Sequence, residues 1–114
     1  MATHQCVIAV AKRGTAQHAV QAARRQGARG ATVLGGKGSS VFESRAKKLF
    51  GALLEPEKEI VLVVVEREKA EAVAEEIRRE LDLDTPGKGI VFVFDISSVR
   101  GLTPLDALAE DDDS

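Results

Sequence analysis

The 114-residue sequence has no tryptophan, no tyrosine and no asparagine, and only one cysteine, two histidines and four phenylalanines. Each scarcity closes off a chemistry. A lone Cys6 allows neither an internal disulfide nor a metal cage built of cysteines. It lies in an apolar run, where a buried inert thiol is expected rather than a nucleophile. His4 and His18 fall on different predicted elements, and no spacing of His, Cys and carboxylates matches a metal site. No catalytic residue and no metal ligand is therefore assigned. No window approaches the roughly 18 consecutive apolar residues of a membrane span, so direct membrane insertion is not expected. Met1 to Gln5 lacks the basic and apolar stretches of a signal peptide, and the expected location is cytoplasmic.

What is present is an ordinary globular composition, 44% hydrophobic and 30% charged, at one domain's length. The charge is unevenly spread. Residues 12–48 hold nine Lys or Arg against one acid, Glu43, whereas residues 55–84 hold eleven acids against five bases. That asymmetry suggests an anion-binding half beside a solvating half. The domain is expected over residues 1–104, followed by an acidic tail over 105–114.

Hydrophobic periodicity orders the elements. The run from Cys6 to Ala11 predicts a strand. Ala16, Ala19, Val20 and Ala23 recur at helical spacing, with Thr15 as the expected N-cap and Gly27 as the terminating glycine. Ala31 to Leu34 predicts a second strand and Ile60 to Val65 a third. Ala70, Val73, Ala74, Ile77 and Leu81 form a second helical stripe. A turn at Thr85-Pro86-Gly87 precedes a fourth strand from Ile90 to Ile96. The order βαβ-βαβ predicts an α+β, ferredoxin-like fold: a four-stranded antiparallel sheet with two helices on one face.

Two features point beyond a bare fold. The third strand is apolar on both faces, with Ile60, Leu62 and Val64 on one and Val61, Val63 and Val65 on the other, and the first strand behaves likewise. Two helices cover one face of such a sheet, so the other needs a cover, most simply further copies of the chain. The second feature is the long connector, residues 35–59, which exceeds the usual length of a structureless loop. Within it Phe42, Ala46, Leu49, Phe50 and Leu53 have helical spacing, interleaved with Arg45, Lys47 and Lys48. They form either a short packed helix or an arm that docks on a partner through Phe42, Arg45, Lys48 and Phe50.

Two Gly-Lys-Gly elements carry the chemistry. Gly36-Lys37-Gly38-Ser39-Ser40 has the ingredients of a phosphate cradle: glycines that admit an anion to backbone amides, a cation, and hydroxyl donors. A Walker A loop is excluded, because Ala31 and Gly38 stand where its first glycine and its hydroxyl residue belong. The second element, Gly87-Lys88-Gly89, leads into the fourth strand, and the pair favours convergence on an anionic ligand.

The segment from Gly30 to Val33, Gly36-Lys37-Gly38, the long connector and the stretch from Gly87 to Asp95 together resemble the P-II nitrogen-regulator family, over about residues 6–102. The sequence looks closest to its divergent, P-II-like branch. The resemblance implies a homotrimer with adenine-nucleotide clefts between subunits and a loop that engages a membrane transporter or enzyme. It implies that Thr32 lies near the adenine, that Gly36 and Gly38 form the loop base, and that Gly87 and Gly89 turn amides to the phosphates. The chain also departs from the pattern. Lys88 stands for an aspartate, Ile90 for a phosphate-binding lysine, and Ser39-Ser40 for a glutamine. Gly101 and Thr103 replace two arginines, leaving Arg100 as the nearby base. The effector thus stays open among ATP, ADP and AMP, with or without magnesium, and other small anions. With no tyrosine, uridylylation of the loop is excluded.

Other classes share the topology. An acylphosphatase-like enzyme would place an anion cradle at Lys12-Arg13-Gly14-Thr15 but needs an asparagine that the chain lacks. An RNA-recognition module needs aromatics on its central strands, so no nucleic-acid partner is expected. A CutA-like trimer would carry aromatic and histidine-bearing loops absent here. A ligand-free trimeric adaptor is the remaining alternative. The expected function is a non-enzymatic regulator in which nucleotide contacts to Lys37, Ser39 and Lys88 shift the population of loop arrangements.

Overall fold

The computed structural model describes residues 2–38 and 57–102. Strand β1 (His4–Lys12) leads to helix α1 (Ala16–Arg25) and strand β2 (Thr32–Lys37). Strand β3 (Glu57–Glu66), helix α2 (Arg67–Glu80) and strand β4 (Gly89–Asp95) follow. The four strands form one sheet in the order β2-β3-β1-β4, every pair antiparallel. The expected ferredoxin-like arrangement is therefore what these residues adopt.

Strand alternation divides the side chains between two environments. On one face Val7, Ala9 and Ala11 of β1 and Val61, Val63 and Val65 of β3 are buried beneath the helices. Helix α1 contributes Ala16, Ala19, Ala22 and Ala23, while α2 contributes Ala70, Val73 and Ile77. Helix α1 thus buries only small alanines in the core, whereas α2 turns the larger Val73 and Ile77 inward. Each fully buried Val or Ile contributes about 1.5–3 kcal/mol relative to exposure.

Both helices end on the same device. Gly27, at φ 95°, follows α1, with its amide bonded to the Arg24 carbonyl and the Ala28 amide to that of Ala23. After α2 the corresponding position is Asp82, at φ 54°, and the Leu83 amide reaches the Arg78 carbonyl. These are Schellman closures, which satisfy carbonyls that the helix leaves without partners.

The opposite face of the sheet is apolar and open. Across it run Leu34, Ile60, Val10 and Ile90 in one register row, and Leu62, Ile8 and Phe92 in the next. Ile90, Phe92 and Phe94 are 59%, 42% and 46% exposed. The two phenylalanine rings lie with centroids 6.4 Å apart on edge strand β4.

One sequence expectation needs correction. Gly35, Gly36 and Lys37 belong to β2, and Glu57, Lys58 and Glu59 to β3, not to the connector. The ladder continues through Gly35↔Glu59, Gly36↔Lys58 and Lys37↔Glu57. Glycines and charges broke the apolar pattern there, but backbone pairing with β3 does not depend on side-chain polarity. The expected Phe42, Arg45, Lys48 and Phe50 arm and the acidic tail lie outside the described residues.

Candidate functional site

The end of the sheet where β1 stops and the 38–56 connector is rooted gathers most of the charged chemistry. Alternation sorts that charge by face. Glu57 and Glu59 project to the helix side, with Lys37 at the Glu57 rung. Lys12 and Lys58, direct cross-strand partners, project to the open side next to Gly36.

On the helix side the acids are engaged. The Glu59 carboxylate accepts hydrogen bonds from the amides of Gly14, at 2.7 Å, and Ala16, at 3.0 Å. These are the amides at the entry to α1, where the helix dipole and unpaired N–H groups favour an anion. The bonds from Ala16 and Gly14 hold the Glu59 carboxyl below its ordinary pKa, against a smaller opposing effect of desolvation. Thr15 does not cap through its side chain as expected. Its hydroxyl donates instead to the Lys12 carbonyl at 2.6 Å. Arg13 pairs with Glu57, and the Arg13 amide also donates to the Glu57 carbonyl. The turn that an acylphosphatase-like reading would use as its phosphate cradle is thus filled by the chain's own Glu59. A shallow depression beside it is lined by Arg13, Gly35, Gly36, Lys37, Glu57, Lys58 and Glu59.

On the open side, the stem of Lys58 runs beside Gly38: a methyl group added at Gly38 would lie 3.5 Å from Lys58 Cγ. Burial lowers the Lys58 pKa, and the nearby Lys12 charge adds to the shift.

The second Gly-Lys-Gly element sits at the same end of the sheet but on the other edge. Pro86 followed by Gly87 at φ 84°, with the Lys88 amide donating to the Thr85 carbonyl at 3.3 Å, is a type II turn pattern. Gly89 then enters β4 at φ 135°, where an added Cβ would meet the Val10 carbonyl oxygen at 2.3 Å. No residue but glycine fits there.

The structure brings Gly36, Lys37 and Gly38 together, and separately Gly87, Lys88 and Gly89. It does not bring the two sets together within one chain. The row Gly89–Ala11–Glu59–Gly35 crosses the whole sheet, about 14 Å at the usual strand spacing. Thr32 lies four residues before Gly36 on the open face. Chain residues 96–102 leave the sheet at its far end, where Asp95 pairs with Gln5. There the Asp95 carboxylate accepts bonds from Gln5 and Arg67, and Arg100 donates to the Ser98 hydroxyl. Ser39 and Ser40 lie outside the described residues.

Reading the sequence missed Glu59 and Lys58, and named Lys12 only within the anion cradle of the acylphosphatase-like alternative. The strand parity of Lys58 and Glu59 was a usable signal once β3 is extended by three residues. Glu59's role, 45 residues from Gly14, left no local trace. Cys6 is buried, as expected of an inert thiol, and burial raises its pKa. Among the described residues no group of three or more His, Cys, Asp or Glu could hold a metal, and no helix is long and apolar enough to cross a membrane.

Comparison with known proteins bears on this arrangement. The family model described as "Nitrogen regulatory protein P-II" matches residues 4–104. Among solved structures, the Arabidopsis thaliana PII bound to citrate is similar in fold, with a TM-score of 0.65. Its identity is 24%, over 84% of this chain and 79% of that one. No curated protein sequence matches.

Proposed function

The chain belongs to the P-II nitrogen regulatory protein family, and from that premise we propose that it is a non-enzymatic, cytoplasmic signalling protein. It assembles as a homotrimer, binds an adenine nucleotide between subunits, and controls a membrane transporter or enzyme through residues 38–56. The observation that carries this reading is the separation of the two Gly-Lys-Gly elements. They occupy one end of the sheet but opposite edges, about 14 Å apart. In this reading a ligand that contacts both glycine pairs takes one pair from each of two neighbouring chains. The apolar open face, with Ile8, Leu62 and Phe92 at its centre, supports self-assembly, since soluble monomers rarely leave such a surface uncovered.

Regulation then follows from differential affinity. A nucleotide that favours one arrangement of the connector over another shifts its population, and a partner reads the shift. A ligand with equal affinity for both arrangements would change nothing.

The test is a thermal-shift panel of ATP, ADP, AMP, cyclic AMP, bicarbonate and citrate, with and without magnesium, on protein whose solution mass is measured by light scattering. A ligand at 100 times its Kd adds about 2.7 kcal/mol per site, a shift of several degrees for a domain of this size. A trimer stabilised by one nucleotide supports the reading. A trimer indifferent to the whole panel replaces it with a ligand-free adaptor, and a monomer removes the shared clefts altogether.

A further inference from the structure

Between the two Gly-Lys-Gly elements the sheet presents a basic row. Lys12 of β1 and Lys58 of β3 are direct cross-strand partners, and Lys58 is in turn paired with Gly36. On the other side, the β1–β4 register ends at Ala11↔Gly89. The two lysines therefore lie side by side at the end of the open face, next to the Gly36 rung of β2.

Both lysines sit at the margin of the apolar open face, on neighbouring strands. Strand parity directs Glu57 and Glu59 of the same rungs to the other face, where Arg13 and the amides of Gly14 and Ala16 engage them. Gly36 and Gly38 add no side chain that would obstruct an approaching group, and the Lys58 stem is laid along Gly38. Meanwhile position 90, one rung inward, is an isoleucine whose neighbour in register is Val10. On the open face at this end, Lys12 and Lys58 thus come from the two central strands, β1 and β3.

We propose that Lys12 and Lys58 form a phosphate-binding pair at the root of the connector, receiving the phosphate groups of the nucleotide beside Gly36 and Gly38. Two ammonium groups with rotatable donors suit the oxygens of a polyphosphate. The proposal deepens the nucleotide reading and rests on it for the identity of the ligand. The phosphate chemistry alone would also admit a free inorganic polyphosphate.

Calorimetry on the full chain separates these. The probes are ATP, ADP, AMP and inorganic tripolyphosphate. The proteins are the parent, Lys12→Gln, Lys58→Gln and the double variant. Lys58→Met is added because it removes the charge yet keeps the apolar stem beside Gly38. Melting temperature and solution mass confirm that each variant folds and assembles as the parent does. Each single substitution is expected to weaken nucleotide and tripolyphosphate binding about tenfold, and the double about a hundredfold. If the parent binds tripolyphosphate through the lysines but binds no nucleotide, the pair stands as a polyphosphate site and the nucleotide reading falls. Should the double variant bind nucleotide as tightly as the parent, the pair is overturned while the nucleotide reading survives. A parent that binds none of the four probes overturns both.

Discussion

The carboxylate of Glu59 accepts a 2.7 Å hydrogen bond from the amide of Gly14, 45 residues earlier in the chain. With the Ala16 bond at 3.0 Å, a strand residue thereby caps the first helix from across the sheet. The local candidate, Thr15, turns its hydroxyl back to Lys12 instead. The start of α1 and the start of β3 are consequently one structural unit, closed further by the Arg13–Glu57 pair.

This unit gives a signature in acid. The Ala16 and Gly14 amides hold the Glu59 carboxyl below its ordinary 4.5. A carboxyl whose folded pKa is depressed contributes stability that is complete above the unfolded value and is lost as pH falls through the folded one. Glu59→Gln is expected to lower stability at neutral pH, with the gap to the parent narrowing below pH 4.5. Urea denaturation of both proteins from neutral pH down into acid checks it, and a gap independent of pH would contradict the cap.

Two glycines with positive φ should respond differently to alanine. At Gly89 the added Cβ would meet the Val10 carbonyl at 2.3 Å, whereas at Gly14, φ 93°, it meets nothing within 4 Å. Gly14→Ala is expected to cost about 1–2 kcal/mol, from backbone strain alone. Gly89→Ala should cost more than that, because the β1–β4 ladder must also shift. Equal losses in urea melts would mean that contact with Val10 is irrelevant.

Ile77 is fully buried where α2 faces the sheet. Ile77→Ala is expected to destabilise the chain by about 2–5 kcal/mol, through lost transfer energy and a residual cavity. Chemical denaturation monitored by far-UV circular dichroism measures this.

Phe92 tests the open face without touching the helix-side core. It is 42% exposed in the single chain, so Phe92→Glu is expected to leave the secondary structure intact. The substitution places a charge on the surface proposed to bury against other copies. Light scattering should then report a lighter particle than the parent, and an unchanged mass would clear this face of a role in assembly.

Much of the fold was legible because apolar parity and helical spacing act over short windows. The two-sided strands from Cys6 to Ala11 and Ile60 to Val65, and the stripe of Ala70, Val73 and Ile77, all appear where their spacing placed them. The strand ends were not legible. Gly35, Gly36 and Lys37 look like loop residues by composition, and become strand through hydrogen bonds to a segment twenty residues away. The site divided in the same way. The glycines announced themselves, and Gly89 proves irreplaceable because of a contact with Val10 that no local pattern encodes. Lys58 and Glu59 passed for connector because their significance lies in which face each takes. That assignment exists only once the register is known.

The placement of β3 has a mechanical consequence. The strand that begins at Glu57 lies inside the sheet, bonded to β2 on one flank and β1 on the other. Its first residues are also tied to the turn before α1. A pull on the connector is therefore delivered to a doubly anchored beam, not to a peeling margin. The connector has a stiff fulcrum at its β3 end, and a load borne there is passed inward to the helix layer.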